Sequence, residues 1–195
     1  MLAADAPRNH ARHGDEMAAI IGSMTGTVVE IGPGTGPNMR YYAPGTEVIA
    51  VEPNANMHAP LRASAAEHGV DLEIRTIQGE RIDVDDEGVD GVVGTLVLCG
   101  VDDPAAVVAE IRRILKPGGT YFFLEHVAGE PGTRLRRVQD LLHRPHRWAA
   151  NGCETNRDTA TVIDAAGFAS TDHRTIDVGR EGAYLRLRLI GTATA

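Results

Sequence analysis

Cysteine, aromatic residues and positive charge are all scarce in this chain of 195 residues. Two cysteines are too few for the disulfide framework of a small secreted domain, so a reduced, cytoplasmic setting is expected. The formal net charge of -8 disfavours a broad nucleic-acid interface, and 4% aromatic residues leave little surface for stacking on bases. No signal-peptide pattern is present and no apolar run is long enough to span a bilayer, so no integral membrane segment is expected.

What the sequence does contain is an alternation of short apolar runs and helical segments. Five β-rich runs of this kind occupy residues 27–31, 48–51, 72–77, 89–98 and 121–127. Two further runs, 170–178 and 183–192, alternate like a hairpin. This order predicts a doubly wound, Rossmann-like, mostly parallel seven-stranded sheet that a C-terminal antiparallel hairpin closes. The length fits a single domain, with a helical N-terminal segment at 1–22 and a core at 23–195.

Capping residues mark several helix ends. Gly69 follows the helical segment 56–68 at the position where a left-handed residue ends a helix. Asp103 and Pro104 are typical of an N-cap and a first helical residue. The stretch 116–119 (Lys-Pro-Gly-Gly) is expected to end the helix that starts there.

The first predicted strand continues into a glycine-rich loop, Gly32-Pro33-Gly34-Thr35-Gly36. Glycines let the chain turn sharply and let a ligand approach main-chain N–H groups. A dinucleotide fingerprint needs its third glycine at position 37, where Pro37 stands, so a nicotinamide-dependent oxidoreductase is disfavoured. With Glu30 two residues ahead of it, the loop resembles motif I of the class I methyltransferases that use S-adenosylmethionine (SAM). A strand-to-helix turn without a ligand is the structural alternative.

The resemblance implies SAM as the cofactor, with S-adenosylhomocysteine as its product. The glycine loop would cradle the methionine part and the ribose. Glu52 would accept both ribose hydroxyls, and Glu30 would contact the ammonium group directly or through water. The other residues that the resemblance assigns to SAM are Pro53 and Asn54 after the second strand, Gly79, Glu80 and Arg81 beside the adenine, and Thr95 and Leu96 near the sulfonium.

Each of these assignments has a structural alternative. An acid at a strand end, such as Glu52, is often solvated or caps a helix. Glu30 could instead bond to nearby backbone N–H groups. Residues 79–81 could form an exposed polar loop.

Three later motifs narrow the resemblance. These are Thr95-Leu-Val-Leu-Cys99, Glu125-His126-Val127 and Gly152-Cys153-x-Thr-x-Arg157. Together they resemble the methyltransferase-like family whose mammalian members are membrane-associated alkyl thiol methyltransferases, over about residues 27–168. The resemblance implies a small-molecule acceptor, by preference a thiol. Methylation of carbon, oxygen or nitrogen on a quinone, lipid or secondary metabolite stays open, as do a non-catalytic SAM-binding regulatory role and the oligomeric state.

The candidate catalytic residues follow from the same motifs. His126 is the candidate base, because imidazole titrates near neutral pH and the end of the fifth strand is expected to face the ligand crevice. A histidine that only packs and bonds to a backbone carbonyl is the alternative. Asp102 is a second candidate base or simply helps to end its strand. Cys153 either touches the acceptor or is a buried structural thiol.

No metal site is predicted. The pairs His10/His13 and His143/His146 have a spacing compatible with a metal on a helix, but neither has an evident third ligand. Both pairs are therefore interpreted as solvated helix faces. Cys99 is assigned to the core.

Overall fold

The computed structural model describes residues 2–150 and 152–195, and within them seven strands form one sheet. The strands are β1 (Thr27–Ile31), β2 (Glu47–Val51), β3 (Asp71–Arg75), β4 (Val89–Thr95), β5 (Leu115–His126), β6 (Ser170–Asp177) and β7 (Leu187–Thr194). Their order in the sheet is β3-β2-β1-β4-β5-β7-β6. Pairs among the first five are parallel, whereas β7 is antiparallel to both β5 and β6. The predicted Rossmann-like sheet and its closing hairpin are confirmed.

Five α-helices and two 3-10 helices accompany the strands in the same described residues. They are α1 (Leu2–Ile21), α2 (Ala55–His68), α3 (Pro104–Ile114), α4 (Arg134–Ala149) and α5 (Thr159–Asp164), with 3-10 helices at Met39–Tyr41 and Gly179–Leu185. Gly69 ends α2 with a φ of 69°, and the Asp103 side chain accepts from the N–H of Ala106 at the start of α3. In the described part of the chain, no helix is long and apolar enough to cross a membrane.

Helices cover both faces of the central strands. Successive residues point to opposite faces, so Val92 belongs to the apolar cluster that includes α3, and Val93 to the cluster that includes α1 and α2. Tyr121 and Phe122 divide between the two clusters in the same way. This double burial is why these strands read as continuous apolar runs instead of alternating ones.

Several strand boundaries differ from the prediction. The last strand, predicted over 183–192, is Leu187–Thr194, because Gly179–Leu185 forms a 3-10 helix. Two further differences concern the central strands. The apolar run 89–98 leaves the sheet after Thr95, because Leu96 has a φ of 57° that a strand cannot accommodate. The stretch 116–119 does not separate a helix from a later strand, since β5 already begins at Leu115, which pairs with Val89. A shift of register between Val89 and Gly91 accommodates this early start.

Candidate functional site at the carboxyl ends of the strands

A cavity of about 1210 Å³ opens at the carboxyl ends of the parallel strands. Loops after four strands line it, through residues 32–35 after β1, 52–54 after β2, 78–80 after β3, and 95–97 with 100–102 at the end of β4. Open α/β sheets bind ligands at this edge, where the strand order reverses between β1 and β4. Pockets for one small ligand span about 300–1,000 Å³, so this cavity has room for two small molecules.

Most of the predicted cofactor residues line this cavity, but three do not. Those in the lining are Gly32, Pro33, Gly34, Thr35, Glu52, Pro53, Asn54, Gly79, Glu80, Thr95 and Leu96. Glu30, Gly36 and Arg81 lie outside it. Gly36 packs against α2, where an added Cβ would lie 2.9 Å from Leu61.

Glu52 connects the glycine loop to the end of β2. One carboxylate oxygen accepts from the N–H of Gly34 at 2.9 Å, and the other accepts from the N–H of Asn54 at 2.8 Å. Gly34 has a φ of 57°, which favours glycine, and an added Cβ there would meet no atom within 4 Å. A carboxylate offers about four lone-pair positions, so two backbone bonds fix Glu52 and leave acceptor capacity toward the cavity.

Glu30 lies fully buried behind the cavity wall. Its carboxylate accepts from Asn38 Nδ2 and from the Tyr42 hydroxyl, each at 2.8 Å. Burial raises the pKa of Glu30 to about 7, against the opposing effect of these two hydrogen bonds. Asn38 does line the cavity and also donates to Thr95 Oγ1 at 3.0 Å. Glu30 therefore acts on the cavity through Asn38, a residue that sequence reasoning missed.

The turn after β3, predicted to border the adenine, forms a hydrogen bond within itself through one of the groups predicted to contact the ligand. The N–H of Arg81 donates to the carbonyl of Gln78 at 3.3 Å, and the Arg81 side chain is exposed. Gly79 is buried in the lining and Glu80 is half-buried there. The lining of this end is thus formed by Gln78, Gly79 and Glu80 without Arg81.

Helix α1 closes the opposite end of the cavity. His10 and Met17 from α1 and Tyr41 from the first 3-10 helix belong to the lining. His10 Nδ1 lies 2.7 Å from the Tyr41 hydroxyl, so the two polar groups pair with each other.

The interpretation of the pairs His10/His13 and His143/His146 as solvated helix faces is wrong. His10 lines the cavity, while His13 and His146 are buried because the faces of α1 and α4 that carry them pack against the rest of the protein.

A second buried carboxylate, Glu125, fixes the loop after β4. It accepts from the N–H groups of Val97 and Leu98 at 2.9 Å and of Cys99 at 3.4 Å. Burial raises the pKa of Glu125 to about 7, although these backbone donors oppose the rise. Arg157 Nη1 donates to the carbonyl of Leu98 at 2.6 Å, so the loop is held by both a buried acid and a cation.

The three predicted catalytic residues separate into two places. Asp102 lies at the cavity rim, where its exposed carboxylate is 3.4 Å from Arg147. His126 and Cys153 are buried outside the cavity lining, together with Cys99. Burial lowers the pKa of His126 to about 3, so its imidazole is neutral at physiological pH. This placement gives no support to His126 as a base for a molecule in the cavity.

The pKa of Glu30 predicts a specific dependence of stability on pH. The native pKa of about 7 lies above the ordinary value of 4.5, so the stabilisation is complete below pH 4.5 and is lost as pH rises toward 7. The difference in free energy of unfolding between Glu30→Gln and wild type should therefore shift by on the order of 3 kcal/mol in favour of the variant between pH 4.5 and 8. Any pH-independent destabilisation by the substitution does not alter this shift. Thermal unfolding of both proteins across this range measures the change.

The control for this comparison is Glu67→Gln, which removes an exposed carboxylate on α2. Its melting temperature should stay parallel to that of wild type at every pH. Parallel curves for Glu30→Gln would show that Glu30 is ionised in the native protein well below pH 7.

Comparisons with known proteins identify the family of the chain. Residues 29–123 match a family model described as a methyltransferase domain. Thiol S-methyltransferase TMT1B of Rattus norvegicus is 38% identical over 152 residues, which cover 73% of this chain and 60% of that protein. Thiol S-methyltransferase TMT1A of Homo sapiens is 32% identical over 176 residues, which cover 86% of this chain and 70% of that protein. The chain thus spans less than two thirds of the rat protein.

Among solved structures, geranyl diphosphate methyltransferase in complex with GPP and sinefungin superposes with a TM-score of 0.72. The match covers 96% of this chain and 79% of that chain at 17% identity, so the likeness concerns the fold alone. The fold, the family model and the relatives agree, and the chain belongs to the class I SAM-dependent methyltransferases, as a homologue of the thiol S-methyltransferases.

Proposed function

We propose that the protein transfers a methyl group from SAM to a small-molecule thiol. One continuous cavity, with the glycine loop and Glu52 at one end and a mainly apolar compartment under α1 at the other, carries this proposal. The relatives at 32% and 38% identity, which are named thiol S-methyltransferases, support a thiol over other acceptors.

The residues at the glycine-loop end suit the parts of SAM. Glu52 is held by two backbone donors with its remaining lone pairs available to the ribose hydroxyls. The open position above Gly34, where an added Cβ would contact nothing, leaves room for the methionine part to approach the backbone. Gly79 and Glu80 would border the adenine. When bound, SAM supplies an electrophilic methyl group on a sulfonium sulfur.

The compartment under α1 suits a small apolar acceptor. Met17 and Leu124, which belong to the same apolar cluster, give it an apolar wall, and the His10–Tyr41 pair supplies the polar contact. Thr95 and Leu96 line the same cavity, and Asn38, two residues after the glycine loop, donates to Thr95 Oγ1 at 3.0 Å, which supports a sulfonium position beside Thr95. Holding two reactants in this way can contribute roughly 7–11 kcal/mol to lowering the barrier.

The chemical step needs little acid–base assistance. A bond forms between the acceptor sulfur and the methyl carbon while the bond from that carbon to the sulfonium breaks, which gives a thioether and S-adenosylhomocysteine. The thiol proton passes to solvent, because a thiol with a pKa near 8.5 ionises appreciably at neutral pH. Asp102 and His10 reach the cavity and could accept this proton, whereas the buried His126 does not line it.

This chemistry predicts that the pKa of the acceptor thiol sets the pH dependence of kcat/KM. The logarithm of kcat/KM should rise about one unit per pH unit and level off at the pKa of the acceptor thiol, about pH 8.5 for a thiol as acidic as a cysteine side chain. A more acidic thiol should level off correspondingly earlier. Steady-state kinetics with two thiols of different pKa measure this, and a plateau at the same pH for both would instead indicate a side-chain base.

The direct test is incubation with methyl-labelled SAM and a panel of hydrogen sulfide, alkyl thiols, phenols, quinols and amines. A labelled thioether formed in step with S-adenosylhomocysteine is the expected result. Product from phenols, quinols or amines alone would overturn the thiol acceptor and keep the methyltransferase. SAM binding without any product would favour a non-catalytic regulatory protein.

A further inference from the structure

Three buried side chains with metal-binding atoms meet outside the cavity. The sulfur atoms of Cys99 and Cys153 lie 3.5 Å apart, and His126 Nδ1 lies 3.7 Å from each of them. All three residues are at most 6% exposed. They come from the loop after β4, the end of β5 and the segment between α4 and α5, so the fold brings together residues that are far apart in sequence.

The triangle formed by these atoms has the size of one face of a zinc tetrahedron. Zinc binds thiolate sulfur at about 2.3 Å and imidazole nitrogen at about 2.0–2.1 Å. At tetrahedral angles those lengths separate two sulfurs by about 3.8 Å and a sulfur from a nitrogen by about 3.6 Å. The observed distances differ from these by a few tenths of an ångström, so a cation needs no rearrangement of the backbone.

We propose that Cys99, His126 and Cys153 form a binding site for a thiophilic divalent cation, Zn²⁺, with a non-protein ligand in the fourth position. The soft thiolate pair and the neutral imidazole are the ligands that Zn²⁺ favours. Binding replaces the thiol protons, which pass to the buffer, and two thiolates balance the charge of the ion.

The surroundings give the site a consequence for the cavity. The N–H of Glu154 already donates to the carbonyl of Cys99 at 2.6 Å, which joins the two cysteine segments. Gly100 and Ala150, which neighbour them in sequence, both belong to the cavity lining. A bound ion would therefore fix this part of the cavity wall. The three sequence motifs that narrow the family resemblance each contribute one ligand to this site.

Cobalt provides the test, because Co²⁺ bound by thiolates in a tetrahedral site gives sulfur-to-cobalt charge-transfer absorption and intense visible bands. Reduced, metal-free protein should develop these bands with one equivalent of Co²⁺ and lose them on addition of Zn²⁺. Competition with a chromophoric chelator then gives the Zn²⁺ affinity. Cys99→Ser, Cys153→Ser and His126→Ala should each lower that affinity at least 100-fold. The control His68→Ala removes a half-buried imidazole on α2 that bonds to the carbonyl of Ser64 in its own helix, and it should leave the affinity unchanged.

Two further measurements separate binding from folding. Far-ultraviolet circular dichroism and SAM binding report whether each variant keeps its fold, and Zn²⁺ should protect both thiols of the wild type from a disulfide reagent. Absence of charge-transfer absorption in wild type with two titratable thiols would overturn the proposal. Undiminished Zn²⁺ affinity in the Cys99→Ser/Cys153→Ser double variant would also overturn it. The same holds if the wild type forms a Cys99–Cys153 disulfide on oxidation and, after this disulfide is reduced, binds no ion. None of these readouts depends on which acceptor is methylated.

Discussion

Glu52→Ala is expected to weaken SAM binding at least tenfold. A hydrogen bond to a charged group contributes about 1.5–3 kcal/mol, and about 1.4 kcal/mol corresponds to a factor of ten in affinity. Loss of one such bond to a ribose hydroxyl predicts a decrease of about tenfold to a hundredfold, and loss of both bonds predicts a larger one. Glu52→Gln keeps one acceptor oxygen, so its dissociation constant for SAM should lie between those of wild type and Glu52→Ala. Isothermal calorimetry measures the dissociation constants.

The structural role of Glu52 requires a separate control. Its oxygens accept from the N–H groups of Gly34 and Asn54, so part of the loss in either variant reflects a less ordered glycine loop. Glu67→Gln removes an exposed carboxylate from α2 and should bind SAM as wild type does. A dissociation constant within twofold of wild type for Glu52→Ala, in a protein that melts normally, would contradict the ribose contact.

Local patterns in the sequence were sufficient to predict the sheet and much of the glycine-loop end of the cavity. Gly32 and Gly34 mark a turn that only residues tolerant of positive φ can make, and the acid at the end of β2 lies beside that turn because the strands are parallel. The caps at Gly69 and Asp103 are equally local, since each acts on backbone groups within a few residues. Such features need no knowledge of distant contacts.

The parts that sequence reasoning missed depend on contacts between distant segments. The apolar residues 96–98 resemble the end of a strand. However, Glu125, 27 or 28 residues later, accepts the N–H groups of Val97 and Leu98 and holds these two residues off the sheet. Glu30 resembles a ligand contact by its position, but Asn38 and Tyr42 close over it. His126 was placed in the crevice because strand ends point there, whereas its ring packs between two cysteines from other segments.

Glu125→Ala is expected to have the largest effect on stability. It leaves the N–H groups of Val97, Leu98 and Cys99 without their acceptor in the interior, and each such buried donor costs about 1–3 kcal/mol. Allowing for partial relaxation, the free energy of unfolding should fall by about 3–6 kcal/mol. For a chain of this length that lowers the melting temperature by on the order of 10 °C or more.

Glu125→Gln separates hydrogen bonding from charge at this position. Its amide oxygen can still accept from Val97 and Leu98, while its NH₂ group faces the N–H of Cys99, so the loss should be about one bond instead of three. The exposed Glu130→Ala, five residues later, should melt within 2 °C of wild type.

The same loop carries Leu96 and Val97 into the cavity wall, so a loosened loop should affect catalysis before the protein unfolds. At a temperature where Glu125→Gln is fully folded, the KM for the acceptor should rise several-fold with SAM affinity changed less, because Glu52 and the glycine loop lie on other strands. Paired measurements of KM and of the SAM dissociation constant distinguish this from general destabilisation. Equal losses in both would show that the fixed loop serves the whole site, and unchanged values in both would limit Glu125 to folding.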